Sequence, residues 1–128
     1  MKYMILMNNT VADLNSFGSM SHEDIKRHID FMAKLNADLK ARGELVDAQG
    51  LTGPDQAKIV RARQGAAPVV TDGPFPEAKE FLAGYWLVDV SGPERIIELA
   101  AFISAAPGRD GAPLNFPVEV RAVGVAPA

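Results

Sequence analysis

The chain has 128 residues, 48% of them hydrophobic and 23% charged, and this length and composition predict one domain over residues 1–128 with a sizeable core. The net charge of −3 argues against nucleic acid as a partner, because proteins that bind nucleic acid usually carry a basic patch. The chain has no cysteine, which excludes disulfides and thiolate catalysis and suits a cytoplasmic location, and no stretch approaches the roughly 20 apolar residues of a membrane span.

The first predicted element is a strand over residues 2–7, where apolar side chains occupy both alternating faces. Residues 8–20 are polar, contain glycine and serine, and predict a loop. Residues 21–24 (SHED) have the form of a capping box and predict a helix over residues 21–42, which ends before Gly43. The apolar positions of this helix recur at helical spacing: Ile25, Ile29, Met32, Leu35 and Leu39.

Several strands are predicted in the middle of the chain. Residues 44–48 and 57–63 predict two strands joined by the glycine- and proline-containing stretch 50–54. Residues 69–70 predict a short strand that leads into an Asp-Gly turn. The clearest strand covers residues 82–90, which are again apolar on both faces.

The last third of the chain predicts a helix and a closing strand. Residues 91–94 (SGPE) repeat the capping-box pattern at the start of the second helix. Residues 107–113 contain several glycines and prolines and predict a break, residues 118–122 alternate as a strand, and residues 124–128 predict a frayed tail. The apolar positions of the second helix are Ile96, Leu99, Ala100 and Ile103.

The order strand, helix, two strands, strand, helix, strand predicts an α+β fold with a ferredoxin-like protomer, in which both helices cover one face of the sheet. Strands 2–7 and 82–90 are nevertheless apolar on both faces, and a large exposed apolar surface is unusual for a monomer. The pattern therefore predicts a homodimer with two sheets packed face to face. Tyr85 and Trp86 are predicted to lie in the core or in this dimer interface.

Three stretches resemble the YCII-related, or DGPF, domain family: VTDGPFPEAKEFLAGYW (70–86), GELVDAQGL (43–51) and VEVRAV (118–123). The resemblance covers nearly the whole chain. It implies a dimeric α/β barrel built from ferredoxin-like protomers. In some members a histidine and an aspartate pair in a cleft, which implies an enzyme. Other members are encoded beside alternative sigma factors, which implies a regulatory role.

The candidate catalytic residues are His28 and Asp72. His28 shares the apolar face of the first helix, and an ordinary imidazole, with a pKa of about 6.5, suits a general base. The alternative is a hydrogen-bonded core histidine. Asp72 lies in the Asp-Gly-Pro-Phe turn and is predicted to orient or deprotonate a histidine. The alternative is a turn residue whose carboxylate accepts hydrogen bonds from nearby backbone N–H groups.

The candidate binding residues are Arg61, Phe75, Lys79 and Arg121. Arg61 and Arg121 are predicted either to hold an anionic ligand or to form cross-strand ion pairs. Phe75 either anchors its loop in the core or lines a cleft. Lys79 either gates that cleft through an ion pair or belongs to a solvated charge cluster. Gly73 is predicted to be conformational, because glycine is favoured where a turn needs positive φ.

The two histidines and the scattered carboxylates lack metal-ligand spacing, and the chain has no phosphate-binding glycine loop, so neither a metal nor a cofactor is predicted. The sequence thus leaves two hypotheses about function. One is a small-molecule-binding protein, with acid/base catalysis on a small and, given the arginines, anionic substrate as its enzymatic form. The alternative is a non-catalytic regulatory or interaction module associated with an alternative sigma factor.

Overall fold

A computed structural model describes residues 1–72 and 80–125 of the chain. Within these residues the chain forms helices, strands and two short 3-10 turns. The strands and helices are, in chain order, β1 (Lys2–Asn9), α1 (Val11–Gly18), α2 (His22–Ala41), β2 (Leu45–Gly50), β3 (Lys58–Arg63), β4 (Ala66–Asp72), β5 (Phe81–Asp89), α3 (Pro93–Ser104) and β6 (Glu119–Ala122).

The main sheet has the strand order β2-β5-β1-β6, and every neighbouring pair in it is antiparallel. Helix α2 lies between β1 and β2 in the chain, and α3 lies between β5 and β6. The predicted α+β class is confirmed, and this order of strands and helices is compatible with a ferredoxin-like protomer.

The core lies between the main sheet and the helices α2 and α3, so both helices cover the same face of the sheet. The four helix positions predicted for α3 are all buried, whereas Ile29 of α2 is 58% exposed, and its predicted core position is wrong. The buried cluster consists of Tyr3, Ile5, Leu35, Leu39, Trp86, Val88, Val90, Ile96, Leu99 and Ile103.

Strands β3 and β4 form a second, two-stranded sheet by themselves. Their hairpin turns at Gln64 and Gly65, where Gly65 has a φ of +70°. All of the residues in β3 and β4 are exposed. The sequence pattern predicts β3 and only two residues of β4, because the Gln-Gly turn that joins the strands is a weak hairpin signal.

Helix α2 begins and ends where the sequence predicts. The Ser21 hydroxyl accepts a hydrogen bond from the Asp24 backbone N–H, as an N-cap does. Gly43 follows the helix with a φ of +72°, the left-handed conformation that ends many helices. The Asp24 carboxylate, however, bonds elsewhere, so only half of the predicted capping box is formed.

Helix α1 replaces the loop predicted over residues 8–20, so this prediction is wrong. The Thr10 hydroxyl accepts from the Asp13 N–H, and the Asp13 carboxylate accepts from the Thr10 N–H, which completes a capping box. The helix buries none of its residues within the protomer. Its apolar residues are too few for a clear helical stripe, which is why the polar composition favoured a loop.

Helix α3 also begins differently from the prediction. Its N-cap is Gly92 rather than Ser91, and no side chain caps it. Pro93 begins the helix because its missing N–H would have had no partner there and its fixed φ suits the first turn. None of the helices among residues 1–72 and 80–125 is both long enough and apolar enough to cross a membrane.

An ion pair joins the start of α3 to the segment before β2. Arg95 Nε donates to Glu44 Oε2 at 3.0 Å, and a terminal Arg95 nitrogen donates to Oε1 at 2.8 Å. The two side chains are only 20% and 15% exposed. The hydrogen bonds from Arg95 lower the pKa of Glu44 below its ordinary value of 4.5, against the opposing effect of partial burial.

Replacing Arg95 by methionine is expected to lower the free energy of unfolding by about 1–2 kcal/mol at neutral pH, less than for a fully buried pair because water still reaches both groups. Since the folded-state pKa of Glu44 is depressed, the stabilisation is fully present above 4.5 and is lost as pH falls through the folded-state value. Urea unfolding at neutral pH and at about pH 3 measures this, and the difference from wild type should shrink at the lower pH. Arg121→Met, which breaks a looser exposed pair at 3.9 Å, is the control and should change little. A difference independent of pH would contradict the assignment.

Candidate ligand-binding site around His28

His28 is half-buried on α2, and one nitrogen of its ring has a fixed partner. Nδ1 lies 3.0 Å from the carbonyl oxygen of Pro107. A carbonyl can only accept, so Nδ1 carries the hydrogen in this contact. Nε2 makes no hydrogen bond with the residues that the structure describes. The neutral ring is therefore held as the Nδ1–H tautomer, which leaves Nε2 as the basic nitrogen.

The larger of two cavities beside His28 has a volume of about 510 Å³ and lies between α1, α2 and the end of the sheet. The Phe17 ring of α1 contacts the His28 ring edge to face, with centroids 4.8 Å apart. Apart from His28, the lining is mostly apolar, with a few polar side chains at one side. It consists of Met7, Asn9, Asp13, Leu14, Ser16, Phe17, Met20, Leu51, Ala83, Leu114 and Phe116.

A smaller cavity of about 250 Å³ adjoins the other side of His28. Trp86 forms part of its wall and donates from Nε1 to the Asn36 side-chain oxygen at 2.8 Å. Gly50 and Gly84, which pair across β2 and β5, provide backbone without side chains at this wall. His28, Met7 and Ala83 line both cavities, so the two spaces adjoin at the histidine.

A polar pair lies on the other face of the sheet. The Tyr85 hydroxyl donates to Asp47 Oδ2 at 2.8 Å, and the Ala48 backbone N–H donates to Asp47 Oδ1. The bond from Tyr85 lowers the pKa of Asp47 and raises the pKa of Tyr85. At neutral pH Asp47 is therefore ionised and Tyr85 is neutral, which is typical of a hydrogen bond with a structural role.

The chain matches a known protein family. The family model of the YCII-related domain matches residues 1–108 of the chain. The chain belongs to the YCII-related domain family. None of the curated proteins compared with it matches. The matched region of this YCII-related domain includes His28 and Asp72, while Arg121 lies beyond it. Membership confirms the predicted resemblance and assigns no reaction.

The predicted His28–Asp72 pair is not joined by a direct hydrogen bond in the part of the YCII-related domain that the structure describes. Asp72 ends β4, on the exposed hairpin, and its Oδ1 accepts from Lys58 Nζ at 2.7 Å. His28 bonds to Pro107 instead. A role for Asp72 in catalysis stays a prediction.

The predicted binding residues are spread over the domain. Arg61 lies on the exposed β3, and Arg121 lies on β6, 3.9 Å from Glu119, and neither belongs to the lining of the two cavities. Phe75 and Lys79, together with Gly73 and the rest of residues 73–79, lie outside the described residues. The cavity walls therefore do not support the prediction that Arg61 and Arg121 hold an anionic ligand.

Several residues of this site are not predicted from the sequence. Phe17 lies in the segment predicted as a loop, although the Thr10 and Asp13 spacing is a signal for α1. Pro107 lies in the predicted break, and nothing in the sequence identifies a backbone carbonyl as the partner of a histidine 79 positions away. Among the residues that the structure describes, no three His, Asp or Glu side chains lie close enough together to hold a metal ion.

Proposed function

We propose that this YCII-related domain binds a small, largely apolar molecule in the cavities beside His28 and that Nε2 of His28 accepts a proton from it. The observation that carries the proposal is the commitment of Nδ1 to the Pro107 carbonyl at 3.0 Å. A general base needs an unprotonated nitrogen held within reach of the substrate. The bond to Pro107 supplies this arrangement without a carboxylate partner.

The cavity walls support a largely apolar ligand. Phe17, Leu14, Leu114 and Phe116 give the larger cavity apolar surface on several sides, and Asn9 adds an amide that can orient a polar group. The volume of about 510 Å³ falls within the usual range for small-molecule sites, roughly 300–1,000 Å³. An apolar pocket also favours proton transfer to a neutral base over binding of a charged group.

The proposal is tested with nitrobenzisoxazole, a neutral aromatic probe of general bases in apolar cavities. The base takes the ring C–H proton, the N–O bond breaks, and the electron pair leaves on the phenolate oxygen as a nitrile forms. The coloured phenolate is followed by absorbance at about pH 8, where an ordinary imidazole is neutral. We expect His28→Gln to lower the rate of probe conversion by about tenfold. This is less than a general base contributes to the reaction of its natural substrate, because the probe is not positioned by the site.

His22→Gln is the matched control, because His22 is exposed at the first position of the same helix and should leave the rate unchanged. A His28→Gln rate equal to wild type would overturn the role of His28 as a base. Probe binding without any turnover would favour the non-catalytic, regulatory module.

We also propose that the active form is a homodimer in which the open faces of two sheets pack together. Cross-strand neighbours share a face, so the registers place Met4, Leu6, Tyr85 and Leu87 together on the face away from the helices. All four are partly buried rather than fully solvated. A second copy would cover this apolar centre, as interfaces of homodimers commonly do.

A further inference from the structure

Asp24 is the one buried charged residue among those that the structure describes, with 6% of its surface exposed. It lies in the first turn of α2, one turn before His28. A buried carboxylate is costly unless its oxygens receive hydrogen bonds, so its partners show what it stabilises.

The Asp24 carboxylate bonds to a distant loop. Its Oδ1 accepts from the Asp110 backbone N–H at 3.0 Å and from Arg27 at 3.1 Å. Burial alone would raise the pKa of Asp24, but the nearby Ser21 and the hydrogen bonds from the Asp110 N–H and Arg27 together lower it, so the group is ionised at neutral pH. Asp110 has a φ of +55°, a left-handed conformation that non-glycine residues seldom adopt, and the charged acceptor holds its N–H in place.

The same loop, residues 107–113, carries the partner of His28. The Gly108 N–H donates to the Ala112 carbonyl at 2.7 Å, which closes the loop on itself. A side chain at Gly108 would meet the Leu114 side chain at 2.6 Å, so the loop also packs tightly against a residue of the larger cavity. The Pro107 carbonyl, at the start of this closed loop, accepts from His28 Nδ1.

We propose that Asp24 is a positioning residue for His28: by binding the Asp110 N–H it fixes the 107–113 loop, and the loop's Pro107 carbonyl in turn fixes the imidazole as the Nδ1–H tautomer. The carboxylate thus acts on a residue four positions along its own helix through a loop more than eighty positions away in the chain. The consequence for proton transfer rests on the proposed function, whereas the control of the tautomer does not.

The test is the tautomer of His28 in the full chain, read from the nitrogen chemical shifts of the neutral ring at about pH 8.5, well above an ordinary imidazole pKa of about 6.5. Wild type should show predominantly the Nδ1–H form. Asp24→Ala removes the acceptor, and we expect a mixture in which the Nε2–H form rises several-fold. Hydrogen exchange of the Asp110 amide should quicken at least about tenfold, because local opening of the loop no longer breaks a charged hydrogen bond.

Glu23→Ala is the matched control, since Glu23 is an exposed carboxylate in the same turn that also pairs with Arg27 but does not contact the loop. It should leave both readouts at their wild-type values. If Asp24→Ala does not fold, Asp24→Asn carries the test: its amide oxygen is a weaker, uncharged acceptor, so the same shifts should follow to a smaller extent.

An unchanged tautomer in a folded Asp24 variant would overturn the positioning role, even if His28 still proves to be the base. Conversely, a shifted tautomer in a protein that neither binds nor converts the probe would leave the positioning role intact and remove the proposed function.

Discussion

Replacing Gly84 by alanine is expected to lower the free energy of unfolding by about 2–3 kcal/mol, because the added methyl group has no room. A Cβ at this position would lie 2.9 Å from the Gln49 carbonyl oxygen and 3.4 Å from Gly50 Cα. The atoms in the way belong to the backbone of β2, so neither can move aside as a flexible side chain would. The strand must shift, and the β2–β5 hydrogen bonds must weaken with it.

Gly50→Ala provides the matched control. Gly50 pairs with Gly84 and lines the same cavity, yet nothing lies within 4 Å of the position its Cβ would take. This substitution should be neutral or stabilise by about 0.4–1 kcal/mol, because alanine restricts the unfolded chain. Urea unfolding of the three proteins measures the difference. Equal stability of the two alanine variants would show that β2 and β5 do not approach as closely as the structure has them.

The Gly84 contact also connects the fold to the proposed site. A displacement of β2 moves one wall of the smaller cavity, while His28 is held from the other side by α2 and the 107–113 loop. We therefore expect the spacing of β2 and β5 at Gly50 and Gly84 to determine the width of the smaller cavity.

Local signals explain most of the fold that could be predicted. The Ser21 cap and Gly43 defined α2 because caps act on the nearest few backbone groups. The alternation of β5 and the apolar spacing of α3 reflected burial in the core. The exposed Ile29 departs from this pattern because it lies about 100° around the helix from His28, at the margin of the stripe that Leu35 and Leu39 bury.

The elements that were missed carry little burial. Helix α1 buries no residue within the protomer, and β4, of which only residues 69–70 were predicted, is exposed throughout, so neither shows the apolar pattern on which such predictions depend. Their remaining signals are the Thr10–Asp13 capping box and the Gly65 turn, each of which is short. An element that buries little apolar surface needs few apolar residues, so its sequence also shows little apolar periodicity.

The candidate site was predicted only in part for a different reason. The position of His28 on the apolar helix face was visible in the sequence, and its place at the cavity walls agrees with that position. Its partner is a main-chain carbonyl, which any residue type can supply, and the link from Asp24 runs through the Asp110 N–H. Nearly every residue type has a backbone N–H and a carbonyl, so contacts of backbone groups cannot be predicted from residue identity and are seen only in the structure.

Replacing Met4 by glutamate is expected to weaken the proposed homodimer at least about 100-fold, because taking a carboxylate out of water in an apolar interface costs several kcal/mol even where a cation lies beside it. Met4 lies at the centre of the open face, beside Leu87 on one side and Arg121 on the other. Within one protomer the new carboxylate faces Arg121 across the strands, an arrangement that favours folding of the monomer. The substitution should therefore act on association and spare the fold.

Sedimentation at low micromolar concentration measures the effect. Wild type should have roughly twice the protomer mass of 13.7 kDa, and Met4→Glu should shift toward a single protomer. Ile97→Glu is the control, because Ile97 is exposed on α3, on the side of the protein away from the open sheet face, and its charge should leave the dimer intact. A wild-type protein that sediments as a monomer would contradict the proposed packing of two sheets face to face. Met4, Leu6 and Leu87 would then form a solvent-exposed apolar patch. A dimer that survives Met4→Glu and is lost in Ile97→Glu would instead place the helical side in the interface.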